Sequence, residues 1–177
     1  FRTEPMTVAR VRLLGPIDFV SARGERIELP SAAQRRLVAV LALAAGATQR
    51  ADYLSDILEV SAGSLRTTVS RLRSTIGGDA IRTNSTGYRI TCAVDTTMFT
   101  ELLVEHPDHP DRLAVLDDAL ALWRGPALDE FAHEPWAAPE VARLDELHAL
   151  AIEDRADVPI RRSRPSEAVA ALEPQCA

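Results

Sequence analysis

One stretch of the chain, SLRTTVSRLRSTIGGDAIRTNSTGYRI (residues 64–90), limits the fold more than any other. Its first half carries large apolar residues at intervals of 4, 3 and 4 residues, which is the spacing of one narrow helical face. These apolar residues are Leu65, Val69, Leu72 and Ile76. Gly77 and Gly78 are expected to end this helix, and the four-residue turn NSTG then joins two short β-type segments. The stretch therefore predicts a helix that is followed at once by a hairpin.

The opposite face of this predicted helix is small, polar and basic. At about 100° per residue, four side chains point away from the apolar stripe: Thr67, Ser70, Arg71 and Ser74. Arg66 and Arg73 share one flank, and the whole stretch holds five arginines against a single acidic residue, Asp79. Short hydroxyl side chains let a helix approach DNA closely, and arginine pairs with guanine edges or phosphates. The pattern therefore predicts a recognition helix for double-stranded DNA.

A small sheet and two further helices are predicted ahead of this stretch. Three segments with β-type patterns indicate an antiparallel sheet: residues 8–15, 17–22 and 25–29. Ser31 and Gln34 match a capping box, so a helix is expected from there to Gly46. Another helix is expected at about residues 50–58, before a short connection, EVSAG.

Strands, three helices and a hairpin, in this order, are typical of a winged helix-turn-helix. The wing would be residues 82–89, in which Arg82 and Arg89 are expected to hold the neighbouring DNA backbone or minor groove. Tyr88 is expected to pack inside the wing. The arginines Arg35, Arg36 and Arg50 are predicted to be surface charges, with phosphate contact at helix N-termini as the alternative.

The formal charge changes sign along the chain. Residues 1–91 carry 13 arginines and 8 acidic residues (net +5), whereas residues 92–177 carry 7 arginines and 18 acidic residues (net −11). The chain as a whole has a net charge of −6. A basic module inside an acidic chain indicates a polyanionic partner that the acidic half would repel, so two modules with different partners are predicted.

The second half has a helical pattern that is rich in alanine and leucine. Helices are predicted at residues 97–105, 111–123, 140–157 and 166–172, with a connecting loop at 124–136. Helix pairs joined by loops indicate tetratricopeptide-like packing, although no clean repeat of about 34 residues is present. Three aromatic residues, Trp123, Phe131 and Trp136, are expected to pack internally, and a ligand pocket or protein interface at these residues is the alternative.

Several classes of protein are disfavoured by the sequence. The longest apolar run, residues 37–47, is about half the roughly 20 residues that a membrane helix needs, so no membrane partner is expected. The sequence contains no phosphate-binding loop, nucleophile elbow or paired carboxylates. Neither an enzyme nor a bound cofactor is therefore predicted. His106 and His109 lack further nearby ligands, so no metal site is predicted. The two distant cysteines, Cys92 and Cys176, indicate reduced thiols in a cytoplasmic protein.

Three segments resemble one family of bacterial regulators. They are RLLGPIDF (12–19), the opening stretch (64–90), and ALALWRGPALDEFAHEPWAAPEVARLDELHALAIEDR (119–155). The chain is similar to the Streptomyces antibiotic regulatory protein (SARP) family, in which an OmpR-type winged helix precedes a bacterial transcriptional activator domain. The phrase LWRGPAL, followed by a loop with Trp and Pro and then ARLDEL, is the more specific part. The turn EVSAG is shorter than the Trp-Gly and Pro-containing turn usual in the family.

The resemblance implies a mainly α fold with small β elements. Its N-terminal winged helix-turn-helix DNA-binding domain would span residues 6–93, and an all-α tetratricopeptide-like activator domain, expected to be incomplete, would span 95–177. It also implies a sequence-specific activator that binds direct repeats in promoters of secondary-metabolite genes. RNA polymerase holoenzyme, including its sigma subunit, would be recruited, and the helical domain would mediate self-association as a homodimer.

The residues expected to contact DNA are Ser64, Arg66, Thr67, Ser70, Arg71, Arg73, Ser74, Arg82, Asn84, Thr86 and Arg89. Two other functions stay open on sequence alone. The winged helix could bind protein instead of DNA, or the helical half could sense a small molecule without direct DNA readout. The cluster of arginines with few acids favours DNA.

Overall fold

The N-terminal strands form a four-stranded sheet in a computed structural model that describes residues 8–104 and 111–162. Its strands are β1 (Arg10–Arg12), β2 (Asp18–Val20), β3 (Arg26–Glu28) and β7 (Ala93–Val94), in the order β3-β2-β1-β7. The pairs β1–β2 and β2–β3 are antiparallel, as the alternating sequence predicts. The parallel pairing of β7 with β1 was not predicted. It returns the chain to the first strand just before the second half begins.

Three helices follow the antiparallel strands. They are α1 (Ala32–Leu43), α2 (Ala51–Leu58) and α3 (Ala62–Ile76). Ser31 caps α1, because its hydroxyl oxygen accepts a hydrogen bond from the Gln34 N–H at 3.2 Å. The reciprocal half of the predicted capping box is absent, since the buried Gln34 Oε1 has no hydrogen-bond partner among the described residues. The helix ends before Gly46, where Ala45 and Gly46 both have positive φ angles.

The apolar stripe of α3 is buried as its spacing predicts. Leu65, Val69, Leu72 and Ile76 are at most 7% exposed, and α3 packs against both α1 and α2. Full burial of side chains of this size contributes about 1.5–3 kcal/mol each. The stripe therefore fixes which face of α3 is left for solvent.

The predicted hairpin forms, with one additional strand. Strands β5 (Ile81–Thr83) and β6 (Gly87–Ile90) are antiparallel, and the short β4 (Gln49–Arg50) pairs with the outer side of β6. A 3-10 turn at Gly78–Ala80 precedes β5. A Cβ atom at Gly87 would lie 1.8 Å from the Gln49 carbonyl oxygen, so β4 can approach the hairpin only because residue 87 is glycine.

The second half is helical. It contains α4 (Asp95–Val104), α5 (Arg112–Leu120) and α6 (Ala138–Arg162), with α5 packed against both neighbours. Helix α5 is shorter than predicted and ends before Trp123. The predicted helix at 166–172, together with His106 and His109, lies outside the described residues. Within those residues, no helix is long and apolar enough to cross a membrane. The predicted fold class, a winged helix-turn-helix followed by a tetratricopeptide-like helical region, is confirmed.

The two halves share their hydrophobic cores. The loop between α5 and α6 places Leu128, Phe131 and Ala137 in the core of the winged helix. In the other direction, Leu14 lies in the core of the helical half, beside Phe99. The loop at 124–136 is therefore an ordered packing element with its own 3-10 turn at Asp129–Phe131, and Phe131 packs internally as the sequence predicted.

Candidate nucleic-acid interface

A three-residue turn sets α3 against α2. Glu59 adopts a left-handed conformation (φ 54°), and the Val60 N–H donates to the Ser55 carbonyl at 3.0 Å, which closes the end of α2. Ser61 then caps α3 by accepting a hydrogen bond from the Ser64 N–H at 3.2 Å. Ala62 and Gly63, which the sequence assigned to the connection, are already helical. The arrangement is a tight helix-turn-helix.

The solvent face of α3 is the one that the sequence proposed for DNA. Its exposed members are Ser64, Arg66, Thr67, Ser70, Arg71 and Ser74. The Thr67 hydroxyl donates to the Gly63 carbonyl at 3.2 Å, and the Ser74 hydroxyl donates to Ser70 at 3.1 Å. Because these hydroxyl protons are used within the helix, the oxygens are left as acceptors, which suits the amino groups of adenine and cytosine in the major groove.

Two arginines of α3 point to solvent without protein partners. The side chains of Arg66 and Arg71 are exposed and make no hydrogen bond or ion pair with the part of the chain that the structure describes. Helix α3 contains no acidic residue. Their positive charge is therefore available to an external anion.

The wing places two like charges directly opposite each other. In the β5–β6 register, Arg82 pairs with Arg89, and both side chains are exposed. Like charges in this position destabilise an antiparallel pair. A polyanion bound across the wing would remove that repulsion. We refer to Arg66, Arg71, Arg82 and Arg89 as the basic surface.

Two of the proposed DNA contacts organise the wing turn. The Asn84 Oδ1 accepts hydrogen bonds from the Thr86 and Gly87 N–H groups at 3.0 and 2.9 Å. Its amide nitrogen donates to the Thr48 hydroxyl at 2.7 Å. The Thr86 carbonyl accepts from the Ala51 N–H at 3.1 Å, at the start of α2. Asn84 and Thr86 therefore form hydrogen bonds within the chain. DNA contact by either residue stays a prediction.

Arg73 is turned toward the wing. Its Nε and Nη2 donate to the Ile81 carbonyl at 3.1 and 3.0 Å, and Nη2 also donates to the Thr83 hydroxyl at 2.7 Å. A groove of about 420 Å³ lies between α3 and the wing, with Arg66, Arg73 and Tyr88 among its lining residues. Tyr88 is buried, as predicted for a packing residue.

Comparisons with known proteins agree with this architecture. Residues 94–177 match the family model described as the bacterial transcriptional activator domain. The chain is 30% identical over 179 residues to the regulatory protein AfsR of Streptomyces griseus, across 92% of this chain and 18% of that protein. A structure of Mycobacterium tuberculosis EmbR in complex with a low affinity phosphopeptide matches with a TM-score of 0.74 and 25% identity. That match covers 93% of this chain and 49% of the EmbR chain.

These matches support a SARP-family transcriptional regulator. The resemblance drawn from its three segments is thereby confirmed. The chain spans less than a fifth of AfsR and about half of the EmbR chain.

Two SARP segments that lie far apart in sequence meet in the structure. The Arg124 and Leu128 N–H groups donate to the carbonyls of Leu14 and Leu13 at 2.8 and 2.7 Å. Gly15 has a φ of 131°, and a Cβ atom there would lie 3.0 Å from the Arg124 Cβ, so the approach requires glycine. We call this contact between residues 12–19 and 122–128, together with Arg26 and Asp95 beside it, the joint.

The joint contains two buried carboxylates. Asp18, which is 1% exposed, accepts from Arg12 at 2.5 and 2.6 Å and from Arg26 at 2.7 Å. Asp95 accepts from the Leu13 and Leu14 N–H groups at 2.7 and 3.1 Å. Burial raises the pKa of Asp95 and lowers the pKa of Arg124, whose Nη atoms lie 3.5 Å from Asp18 and 3.7 Å from Asp95. Sequence reasoning missed this cluster.

The arginines of α1 face the helical half. Arg35 forms a two-point ion pair with Glu130 at 2.5 and 2.9 Å, and Arg36 pairs with Glu134 at 2.8 Å. The guanidinium of Arg36 also lies 5.3 Å from the centre of the Phe131 ring. The sequence left these two residues open between surface charge and phosphate contact, and the structure gives them carboxylate partners within the chain.

Arg50 and the aromatic residues also have internal partners. Arg50 pairs with Asp52 at 2.5 Å and holds the pKa of that exposed carboxyl at about 2. Trp123 packs edge-on against Phe99 and stacks on His148 at 3.9 Å, while Trp136 packs against Phe131. Burial raises the pKa of the Cys92 thiol to about 11, which makes it a poor nucleophile near neutral pH.

Proposed function

We propose that this chain is a sequence-specific DNA-binding transcriptional activator. Helix α3 would enter the major groove through residues 64–74, and the wing, residues 82–89, would hold the adjacent backbone. The observation that carries the proposal is the basic surface: four exposed arginines without carboxylate partners in the described chain, within a protein whose net charge is −6.

The proposed contacts divide by chemistry. Arg66 and Arg71 are the candidates for guanine edges, since arginine pairs with guanine at two points. Ser64 and Thr67, in the first turns of α3, lie where a helix N-terminus favours phosphate. Ser70 and Ser74 are small enough to let the helix approach the bases. Arg82 and Arg89 would neutralise phosphates or enter the minor groove.

The helical half would serve protein partners. Its acidic composition repels DNA, and the SARP relationship supports recruitment of RNA polymerase holoenzyme, including the sigma subunit. Self-association as a homodimer on promoter direct repeats, cytoplasmic location and control of secondary-metabolite genes are further parts of the proposal. No catalytic or cofactor role is proposed.

The test is selection of binding sites from a random duplex library, followed by titration of the selected sequence. We expect the selected duplexes to contain direct repeats. Arg71→Ala is expected to weaken binding by about 1–3 kcal/mol, the range for loss of a two-point contact with a base. Arg143→Ala is the matched control, because Arg143 is an exposed arginine of α6 that pairs with Glu140. Failure to enrich any sequence, or equal affinities for the two variants, contradicts the proposal.

A further inference from the structure

Arg73 uses the edge of its guanidinium that would otherwise bind an anion. Two-point pairing of arginine with a phosphate or a guanine commonly uses two neighbouring N–H donors. In this protein, Nε and Nη2 both point at the Ile81 carbonyl, and Nη2 also reaches the Thr83 hydroxyl. The three donor–acceptor distances lie between 2.7 and 3.1 Å. Arg73 is thus committed to β5, unlike Arg66 and Arg71 on the same helix.

The wing is fastened on its other side as well. β6 pairs with β4, and the Asn84 amide donates to the Thr48 hydroxyl at 2.7 Å. The Ala51 N–H donates to the Thr86 carbonyl at 3.1 Å. The hairpin is therefore held between the last turns of α3, through Arg73, and the segment that leads into α2.

Fixed spacing between α3 and the wing matters for binding a rigid duplex. An isolated two-stranded hairpin is marginal in water. A wing that moved relative to α3 would have to be ordered on binding, and the free energy of that ordering subtracts from the affinity. Holding the hairpin in place before DNA arrives removes that cost.

We propose that Arg73 is a positioning residue that sets the wing relative to α3 and does not bind phosphate. The inference rests on the proposed DNA-binding function and revises the role that the sequence suggested for Arg73. A lysine at this position keeps the charge but cannot supply the same pair of donors. Charge and geometry can therefore be separated by substitution.

The first test measures DNA affinity and its salt dependence for Arg73→Lys, Arg73→Gln and Thr83→Val in the full chain. We expect both Arg73 variants to lose about tenfold in affinity, and Thr83→Val about threefold. The slope of log K against log salt should stay at the wild-type value in all three, because no phosphate contact is removed. Arg89→Gln is the comparison variant, since loss of one phosphate contact lowers the slope by about 0.9.

The second test needs no DNA. Hydrogen exchange of the wing amides, residues 81–90, should be about tenfold faster in Arg73→Lys and measurably faster in Thr83→Val, with exchange in α6 unchanged. Thr83 is exposed, so its substitution leaves the core intact if an Arg73 variant folds poorly.

The outcomes separate the two proposals. Wild-type affinity in Arg73→Lys, together with a lower salt slope in Arg73→Gln, overturns the positioning role and assigns Arg73 to phosphate. If the wing amides exchange at the wild-type rate in both Arg73→Lys and Thr83→Val, the positioning role of Arg73 is overturned independently of DNA. If the wild-type chain binds no DNA but its wing loosens in these variants, the proposed function fails while the structural link between Arg73 and the wing stands.

Discussion

The arginines of the joint and those of the basic surface differ in what faces them. At the joint, Arg12 and Arg26 lie within 2.7 Å of the buried Asp18. On the basic surface, Arg66 and Arg71 face solvent, and Arg82 faces a second arginine across the wing. Arginine therefore neutralises a buried carboxylate in one region and is exposed to solvent in the other.

This difference shows why arginine density alone does not locate a DNA-binding surface. Arg35 and Arg36 stand next to each other in the basic half of the sequence, yet Glu130 and Glu134 of the helical half neutralise them. The acidic half thus supplies carboxylates to the arginines that contact it. A polyanion bound at the basic surface would be attracted by the positive charges there, although the chain as a whole has a net charge of −6.

The largest expected effect concerns the joint. Asp18→Ala should lower the free energy of unfolding by about 3–5 kcal/mol, because it leaves partly buried arginines without their carboxylate. Urea denaturation provides the measurement. Asp52→Ala is the control, since the Arg50–Asp52 pair is exposed and its loss should leave the free energy of unfolding almost unchanged. A loss below about 1 kcal/mol for Asp18→Ala would remove the distinction between the two sets of arginines.

An intermediate effect is expected at the wing. The double substitution Arg82→Gln with Arg89→Gln should weaken DNA binding by about 2–3 kcal/mol and reduce the salt slope by about 1.8. The free energy of unfolding should rise by a few tenths of a kcal/mol, because the cross-strand repulsion is relieved. Titration at several salt concentrations and urea denaturation measure the two quantities. If the double variant lost folding stability but kept its DNA affinity, Arg82 and Arg89 would have a structural role like that of the arginines at the joint.

The smallest effect is expected for Arg35, an arginine of the basic half that has a carboxylate partner. Arg35→Ala should reduce stability by only about 0.2–1 kcal/mol, since its pair with Glu130 is partly exposed to solvent. DNA affinity and salt slope should match those of the wild type. A reduced salt slope would instead show that Arg35 exchanges its carboxylate for phosphate when DNA binds.

Local patterns in the sequence predicted α3 and the wing. The stripe of α3 repeats within a dozen residues, and the NSTG turn marks the hairpin, so both signals are contained in the segments that they describe. The two-residue strands β4 and β7 were missed because a strand that short carries no alternation. The role of Asn84 was readable in principle, since asparagine commonly bonds to the backbone two residues on in turns.

Long-range partners were not predictable in this way. Asp18 meets Arg124, and Arg35 meets Glu130, across about a hundred residues of chain. Arg73 has the same helical flank as Arg66, and only the position of β5 decides that its donors turn inward. The sequence therefore predicted which helix face forms the candidate site. Only the structure showed which of its arginines are exposed to solvent and which are bonded within the chain.

One measurement tests the central claim most directly, which is that the basic surface binds DNA. The chain would be titrated with a selected promoter duplex at about 50 and 200 mM salt, with random-sequence duplex as competitor. We predict tight binding that survives the competitor at low salt and weakens steeply at high salt. Weak binding that is insensitive to both sequence and salt would contradict the claim.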